Sequence, residues 1–210
     1  MKKLTKLIRA GIVASALSVY SVSTIYAQEV QVFALDNSQI AYEEPVKAAI
    51  DRCIPEDTIE AFNWHNGQVV IDADLPAKYN IAGLTNGVPT STGWYNWDNG
   101  TTYVTVTPAY GLKTTISTTL HEFGHVFDMQ VGATNNKNVQ SIIESEIPRY
   151  TSLEERTGYM IPSIDSSREF FAQIYSAVVA DGTGLVPYSS DMILACPSTA
   201  NYIKTLLSKE

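Results

Sequence analysis

Two histidines and a glutamate form the most chemically informative pattern in this chain. His121, Glu122 and His125 lie in the stretch HEFGH, and the 210-residue sequence has only three histidines. Residues four positions apart occupy the same face of a helix, so His121 and His125 can bind one metal ion together. Glu122 stands beside the first histidine, where a carboxylate can take a proton from water. The pattern predicts a metal site; the alternative is a surface helix that carries two histidines by chance.

The flanking residues predict the helix that such a site requires. Residues 114–131 contain no proline and a single glycine, Gly124, and Gly132 follows as a helix-ending residue. Apolar residues recur at three- and four-residue steps, namely Ile116, Leu120, Phe123 and Phe127. On a helix, H-E-x-x-H is the arrangement of zinc metalloproteases, with Glu122 as general base. Because glycine weakens a helix by about 1 kcal/mol relative to alanine, we expect another element or a substrate to approach Gly124 closely.

Two histidines need a third ligand, and two familiar sources fail. Metzincins place a glycine and a histidine at the positions occupied here by Asp128 and Val131, so that class is excluded. The remaining histidine, His65, lies in a turn-like stretch before a predicted strand. We expect His65 to be a loop residue, which leaves a carboxylate as the third ligand.

Glu169 is the candidate for that carboxylate. It opens a predicted helix over residues 167–180 and precedes Phe170 and Phe171, which should turn this helix towards the core. Ser166 and Glu169 also match a capping box, in which Glu169 would bond the backbone of Ser166 instead. The other glutamates nearby lie in polar contexts and suit solvated faces: Glu144, Glu146, Glu154 and Glu155.

The N-terminus predicts export. Four basic residues precede residue 10, residues 12–26 carry no charge, and Ala27 offers a small residue for cleavage. We interpret residues 1–27 as a signal peptide and residues 28–210 as one catalytic domain; an uncleaved anchor is the alternative. The expected location is extracellular, with no membrane association after cleavage.

Composition limits the partners. The formal net charge is −8, and the acidic balance disfavours nucleic acid and anionic membranes. Cys53 and Cys196 are the only cysteines. In an oxidising compartment we expect them to form one disulfide, with two free buried thiols as the alternative. We expect the mature protein to be a monomer.

The order of predicted elements is typical of an α+β fold. A strand at residues 68–73 and a hairpin of residues 93–98 and 101–107 predict a small mixed sheet with a hairpin edge. Helices dominate from residue 112, at residues 114–131, at residues 139–146 ended by Pro148, shortly after Ser152, and at residues 167–180 and 199–208. The sheet should pack on this mainly helical half, which carries the metal motif.

The motifs together resemble a known family. HEFGHVFD at residues 121–128, followed by EFFA at residues 169–172, is similar to the catalytic domain of anthrax lethal factor and to the small secreted Pro-Pro endopeptidases. The resemblance covers about residues 112–210. It implies a gluzincin-like site in which His121, His125 and Glu169 bind zinc and Glu122 is the base. It also implies an extended peptide substrate along an edge strand, for which residues 101–107 are the candidate.

Two positions depart from the family pattern. A tyrosine commonly stands seven residues before the third ligand and polarises the substrate carbonyl, but Pro162 occupies that position here. Tyr159 is the candidate replacement, and a structural tyrosine is the alternative. The second acid of the family's E-F-F-A-E motif is Gln173, which can accept a hydrogen bond from a ligand histidine but brings no charge.

These features predict a secreted zinc endopeptidase with one Zn²⁺ per chain, acting on extended peptide in extracellular or surface proteins. The resemblance adds a cleavage site next to proline. One alternative is a catalytically inactive peptide-binding or adhesive module. Another is a structural envelope protein whose motif is fortuitous.

Overall fold

The computed structural model describes residues 29–72, 84–85, 88–89, 93–98, 101–106, 108, 111–157 and 166–209, which form a four-stranded mixed sheet, a two-stranded antiparallel sheet of residues 84–85 and 88–89, and seven α-helices. The strands are β1 (Gln31–Ala34), β2 (Gln68–Ile71), β3 (Leu84–Thr85), β4 (Val88–Pro89), β5 (Gly93–Asp98) and β6 (Thr101–Val106). The helices are α1 (Glu43–Cys53), α2 (Glu56–Trp64), α3 (Leu112–Val131), α4 (Lys137–Thr157), α5 (Ser167–Val179), α6 (Ser189–Ala195) and α7 (Pro197–Leu207). Short 3-10 helices cover Asn37–Tyr42 and Ala133–Asn135. The expected signal peptide, Tyr159 and Pro162 lie outside the described residues.

Four strands form the main sheet in the order β1-β2-β6-β5. β1 and β2 are parallel, β2 and β6 are parallel, and β5 and β6 form an antiparallel hairpin. The predicted hairpin and the α+β class are therefore confirmed. The choice of residues 101–107 as the edge is wrong, because β6 lies between β2 and β5. A hairpin has two candidate edges, and the parallel pairing with β2 covers β6 and leaves β5 as the terminal strand of the described sheet.

Helix α3 is the central helix of the fold. It packs against β5 and β6, against α1 and α2, and against α5. The predicted helix is confirmed, and it ends at Gly132, whose φ of 62° lies in the left-handed region that favours glycine. Its core contacts include Phe62 with Phe123 and Phe127 with Tyr175, both with ring centroids 4.9 Å apart. Burial on nearly all sides fixes the direction of the motif residues that α3 carries.

Helix α4 runs through Pro148, where the sequence predicted a break. Five residues of α4 form one buried stripe along its length: Val139, Ile143, Glu146, Tyr150 and Leu153. A proline inside a helix removes one backbone hydrogen bond and costs about 3 kcal/mol, and packing of this stripe offsets that cost. Ser152 consequently lies inside the helix and donates its hydroxyl to the Pro148 carbonyl oxygen at 3.0 Å. The separate helix expected shortly after Ser152 is therefore part of α4.

The two cysteines are not bonded, so the expected disulfide is wrong for this structure. Cys53 and Cys196 are both free and buried. Cys53 ends α1, which packs on α3 and β1, whereas Cys196 stands between α6 and α7, which pack on α4 and α5. Burial raises the pKa of both thiols, and together with the charge of Glu146 it raises the pKa of Cys196 to about 12.

One cluster of buried apolar residues extends from Val30 to Ile203 and includes residues of the sheet and of the helical half. Among the described residues, no helix combines the length and the apolar character needed to cross a membrane.

Candidate metal centre

Helix α3 brings the two motif histidines together on one face. His121 and His125 are one turn apart, with ring centroids 5.0 Å apart and rings nearly perpendicular. His121 is 6% exposed, and the side chain of His125 is 12% exposed. Both Nε2 atoms point to the same place, because each lies within reach of the Glu169 carboxylate.

Glu169 completes the cluster from α5. Its Oε2 lies 3.1 Å from His121 Nε2, and its Oε1 lies 3.4 Å from His125 Nε2. One donor atom from each of the three side chains lies within 4.8 Å of the others. The residue chosen from sequence as the third ligand therefore joins the two histidines.

The capping box of α5 is formed only in part. Ser166 is the N-cap, and its hydroxyl oxygen accepts a hydrogen bond from the Glu169 backbone N–H at 3.3 Å. The Glu169 carboxylate lies on the histidines instead of completing the box. Of the two roles weighed for the Glu169 side chain, the structure shows the one in the cluster; only its backbone N–H takes part in the helix cap.

A glycine allows the helices that carry the cluster to approach each other. A Cβ at Gly124 would lie 2.6 Å from Ala172 Cα and 2.8 Å from the Ala172 carbonyl oxygen. Contacts this short do not occur in folded proteins, so any side chain at residue 124 would push α5 away from α3. The close approach expected at Gly124 is confirmed, and the neighbour is α5, the helix that supplies Glu169.

Electrostatics favour a charged third ligand. Burial alone would raise the pKa of Glu169, but hydrogen bonds to His121 and His125 outweigh it and hold that pKa well below its usual range. Burial alone would lower the pKa of His125, but the hydrogen bond to Glu169 and the charge of Glu122 raise it. The carboxylate is therefore ionised and attracts positive charge to the place where the three side chains meet.

Glu122 is buried next to this cluster. It is 5% exposed, and burial raises its pKa, an effect larger than the opposing influence of His121 and His125. A raised pKa makes a carboxylate a better proton acceptor near neutral pH. Its carboxyl group also lies against the backbone of Gly93 in β5, a neighbour that the sequence did not indicate.

Gln173 supports the first histidine. Its Oε1 lies 3.1 Å from His121 Nδ1, and its Nε2 donates to the Met192 sulfur at 3.5 Å. The sulfur takes the amide N–H, which leaves the amide oxygen to accept from His121 Nδ1–H. The other ring nitrogen, Nε2, faces Glu169 in the cluster, and a metal ion there would take the place of the proton that Nε2 shares with the carboxylate. The hydrogen bond anticipated for Gln173 is present, whereas the role of Met192 carried no sequence signal.

Asp128 has a structural role at the end of α3. It is 6% exposed and accepts hydrogen bonds from the Thr134 backbone N–H at 2.8 Å and from the Thr134 hydroxyl at 2.5 Å. These bonds hold the turn after Gly132. Asp128 therefore stabilises the turn at the end of α3 and does not belong to the cluster.

The remaining candidates fall elsewhere. His65 follows α2 as its C-terminal cap and is half-buried, outside the cluster. Tyr159 lies outside the described residues, so its role stays a prediction. Two tyrosines that could replace it are fully buried core residues: Tyr150 packs on Phe170, and Tyr175 packs on Phe127. Neither side chain is available at an open site.

The donor set suits a metal ion. Two imidazole nitrogens and one carboxylate oxygen converge, and a hydrogen bond from His121 to Gln173 fixes the orientation of one histidine. The carboxylate, that of Glu169, is partly exposed to solvent. The cluster of His121, His125 and Glu169 can hold a metal ion. No model of a known protein family matches this chain, and no curated protein matches it. The geometry and the motifs therefore carry the functional argument.

Proposed function

We propose that this protein is a secreted zinc-dependent endopeptidase. The observation that carries the proposal is the meeting of His121, His125 and Glu169 at one point, with the buried carboxylate of Glu122 beside them. Two imidazoles and a carboxylate form the donor set of catalytic zinc sites that keep a fourth position open. The contacts support the gluzincin-like arrangement that the resemblance implies.

The roles of the protein groups follow from their positions. A zinc ion at this cluster would supply Lewis acidity, which polarises a peptide carbonyl and makes water more acidic. Glu122 accepts the proton of the attacking water, and burial raises its pKa, which makes it a stronger base than an exposed glutamate. Glu122 then returns the proton to the leaving amine. Gln173 orients His121, and Glu169 supplies the negative charge of the ligand set.

The substrate would be an extended peptide paired with β5. β5 is the terminal strand of the described sheet, and its first residue, Gly93, lies against Glu122. A peptide that adds to such an edge gains backbone hydrogen bonds. Cleavage next to proline rests on the family resemblance alone. The acidic chain should act as a monomer on surface or extracellular proteins, and the N-terminal sequence favours export.

Tyr159 is the proposed donor to the carbonyl oxygen of the substrate. Loss of one such donor usually costs 10²–10³ in kcat, so Tyr159→Phe should lower kcat by about that factor with little change in zinc content or KM. A variant that cleaves within a few-fold of wild type would make Tyr159 structural.

A second function deserves a direct comparison because Pro162 replaces the tyrosine of the family pattern. In that case the chain would be an inactive member that binds peptide or adheres to a surface. It would bind zinc and capture peptides without hydrolysing them. Turnover of any peptide separates the two functions.

The test uses the mature protein, residues 28–210, purified without added metal. We expect one zinc per chain by metal analysis and cleavage of members of a peptide library. Chelator should abolish cleavage, and added zinc should restore it. His121→Ala, purified in the same way, should lack both zinc and cleavage, which excludes a contaminating protease. A wild-type protein without zinc would overturn the proposal, and one with zinc but no cleavage would favour the binding module.

A further inference from the structure

The place where β5 meets α3 contains a glycine that faces the proposed base. Gly93 pairs with Val106 in the antiparallel ladder, and antiparallel partners project to the same face of a sheet. Val106 is fully buried. A side chain at position 93 would therefore project from the core face of the sheet towards α3.

A side chain at this position would collide with the base. A Cβ built at Gly93 would lie 3.0 Å from Glu122 Cδ, and closer still to Glu122 Oε1 and to the Thr118 methyl carbon. Thr118 and Glu122 are one turn apart on α3, so both collisions occur on the same face of that helix. No L-residue other than glycine fits here without moving the Glu122 carboxylate, the Thr118 side chain or the strand.

We propose that Gly93 is a positioning residue, whose lack of a side chain lets the terminal strand β5 close on α3 and hold the Glu122 carboxylate in its buried place. The catalytic importance of this contact rests on the proposed function. The steric coupling between residues 93 and 122 does not, so it can be measured separately.

The surroundings of Glu122 explain why the coupling would affect the rate of cleavage. Glu122 is buried and its carboxyl group adjoins Gly93 of β5, and misplacement of a catalytic group by about 1 Å can cost roughly 10²-fold in rate.

The first experiment measures stability in metal-free protein with a double-mutant cycle. Gly93→Ala alone should lower the melting temperature by roughly 2–12 °C, because overpacking distorts a close contact. Glu122→Ala removes the carboxyl group, so Gly93→Ala should cost clearly less in that background. Equal costs in both backgrounds would overturn the proposal. If Gly93→Ala does not fold alone, recovery of folding in the Glu122→Ala background still supports it.

The second experiment separates Glu122 from the other neighbour. Thr118→Ser keeps the hydroxyl and removes only the methyl group that the new Cβ would meet. Gly93→Ala should keep one zinc per chain and lose roughly 10²-fold in kcat, and Thr118→Ser should not restore the lost activity. Wild-type kcat in Gly93→Ala would overturn the positioning role, as would full recovery with Thr118→Ser. A wild-type protein without zinc or turnover would refute the proposed function, while the stability cycle would still decide the steric coupling.

Discussion

Two glutamates on helices that follow each other in the chain are buried in very different surroundings. Glu146 of α4 is fully buried. Its oxygens accept hydrogen bonds from the Ser198 backbone N–H at 2.8 Å, the Thr199 backbone N–H at 3.0 Å and the Thr199 hydroxyl at 2.7 Å. These donors form the first turn of α7, where the helix dipole also favours a negative charge. Glu146 therefore caps a helix 52 residues away and is structural.

Glu122 of α3 is nearly as buried, and burial has the largest influence on its pKa. The histidine charges act on it less strongly than burial does, so its pKa is raised. Holding a carboxylate in that state costs stability, and the structure gains no helix cap from it. The comparison shows that burial alone does not mark a functional carboxylate. The surrounding groups do: backbone and hydroxyl donors at Glu146, and at Glu122 a cluster of side chains that can hold a metal ion.

The largest expected effect is at Glu169. Its backbone N–H is capped at the start of α5, while its carboxylate lies in the histidine cluster. Glu169→Ala should lose zinc and turnover together, because it removes a ligand. Ser166→Ala is the matched control, since it removes only the cap to the Glu169 backbone. It should cost about 1 kcal/mol of stability and leave zinc in place. Metal analysis with a melting curve distinguishes the two variants, and retained zinc in Glu169→Ala would show that the Glu169 carboxylate is not a metal ligand.

Glu122→Gln should separate chemistry from metal binding. We expect one zinc per chain and a loss of roughly 10²–10⁴-fold in turnover, because the general base is absent while the ligands remain. Retained activity would refute the assignment of Glu122 as base.

The stability of the metal-free protein gives an independent check on Glu122. A raised folded-state pKa means that the folded protein binds this proton more tightly than the unfolded chain does. Wild-type stability should therefore fall as pH rises from the ordinary glutamate range through the raised pKa. The Gln variant lacks this contribution and should be at least as stable as wild type at pH 7. A clear loss of stability would place Glu122 with Glu146 as a structural carboxylate.

Glu146→Gln should give the opposite pattern. The amide presents an N–H group to donors that need an acceptor, so we expect a loss of roughly 2–4 kcal/mol, or roughly 4–16 °C in melting temperature. Zinc content and turnover below that temperature should be unchanged. Glu144→Gln is the matched control, because Glu144 is exposed on the same helix. Equal stability of the two variants would contradict the capping role.

The sequence predicted the members of the histidine–glutamate cluster better than the residues that pack around it. His121 and His125 were predictable because a four-residue spacing on an amphipathic helix places side chains together. Glu169 was reached by the need for a third ligand, although its capping box offered a local alternative. Glu146 was wrongly placed on a solvated face, because its partners are 52 and 53 residues away and no local pattern announces them.

Tertiary packing also determined the two structural features that the sequence predicted wrongly, the end of α4 and the edge strand. Pro148 is a strong local signal for a helix end, but the buried stripe of α4 continues through it. The choice of edge strand depended on which partner pairs with β2, which the hairpin sequence does not state. Gly93 and Met192 support the site through contacts between distant elements, and neither residue type announces such a role.

Substitutions of Gln173 measure how much an uncharged neighbour of His121 contributes to zinc affinity. Gln173→Leu removes the acceptor for His121 Nδ1 and should weaken zinc binding by roughly 10–100-fold. Gln173→Glu keeps an acceptor and adds charge, so it should hold zinc at least as tightly as wild type. The measurement is competition with a chelator of known affinity, read by metal analysis. Unchanged affinity in the leucine variant would show that the buried bond at 3.1 Å does not tune the metal site.

The smallest expected effect concerns the thiols. Cys196 adjoins the α7 terminus that Glu146 caps, and Cys53 ends α1 in another part of the core. If noncovalent bonds hold that terminus, reductant should leave the melting temperature unchanged, and protein denatured without reductant should titrate two thiols. A disulfide would close a loop of about 140 residues and stabilise the fold by roughly 4–5 kcal/mol. Denatured protein with no titratable thiol, and a lower melting temperature on reduction, would show that a covalent bond shares the role assigned to Glu146.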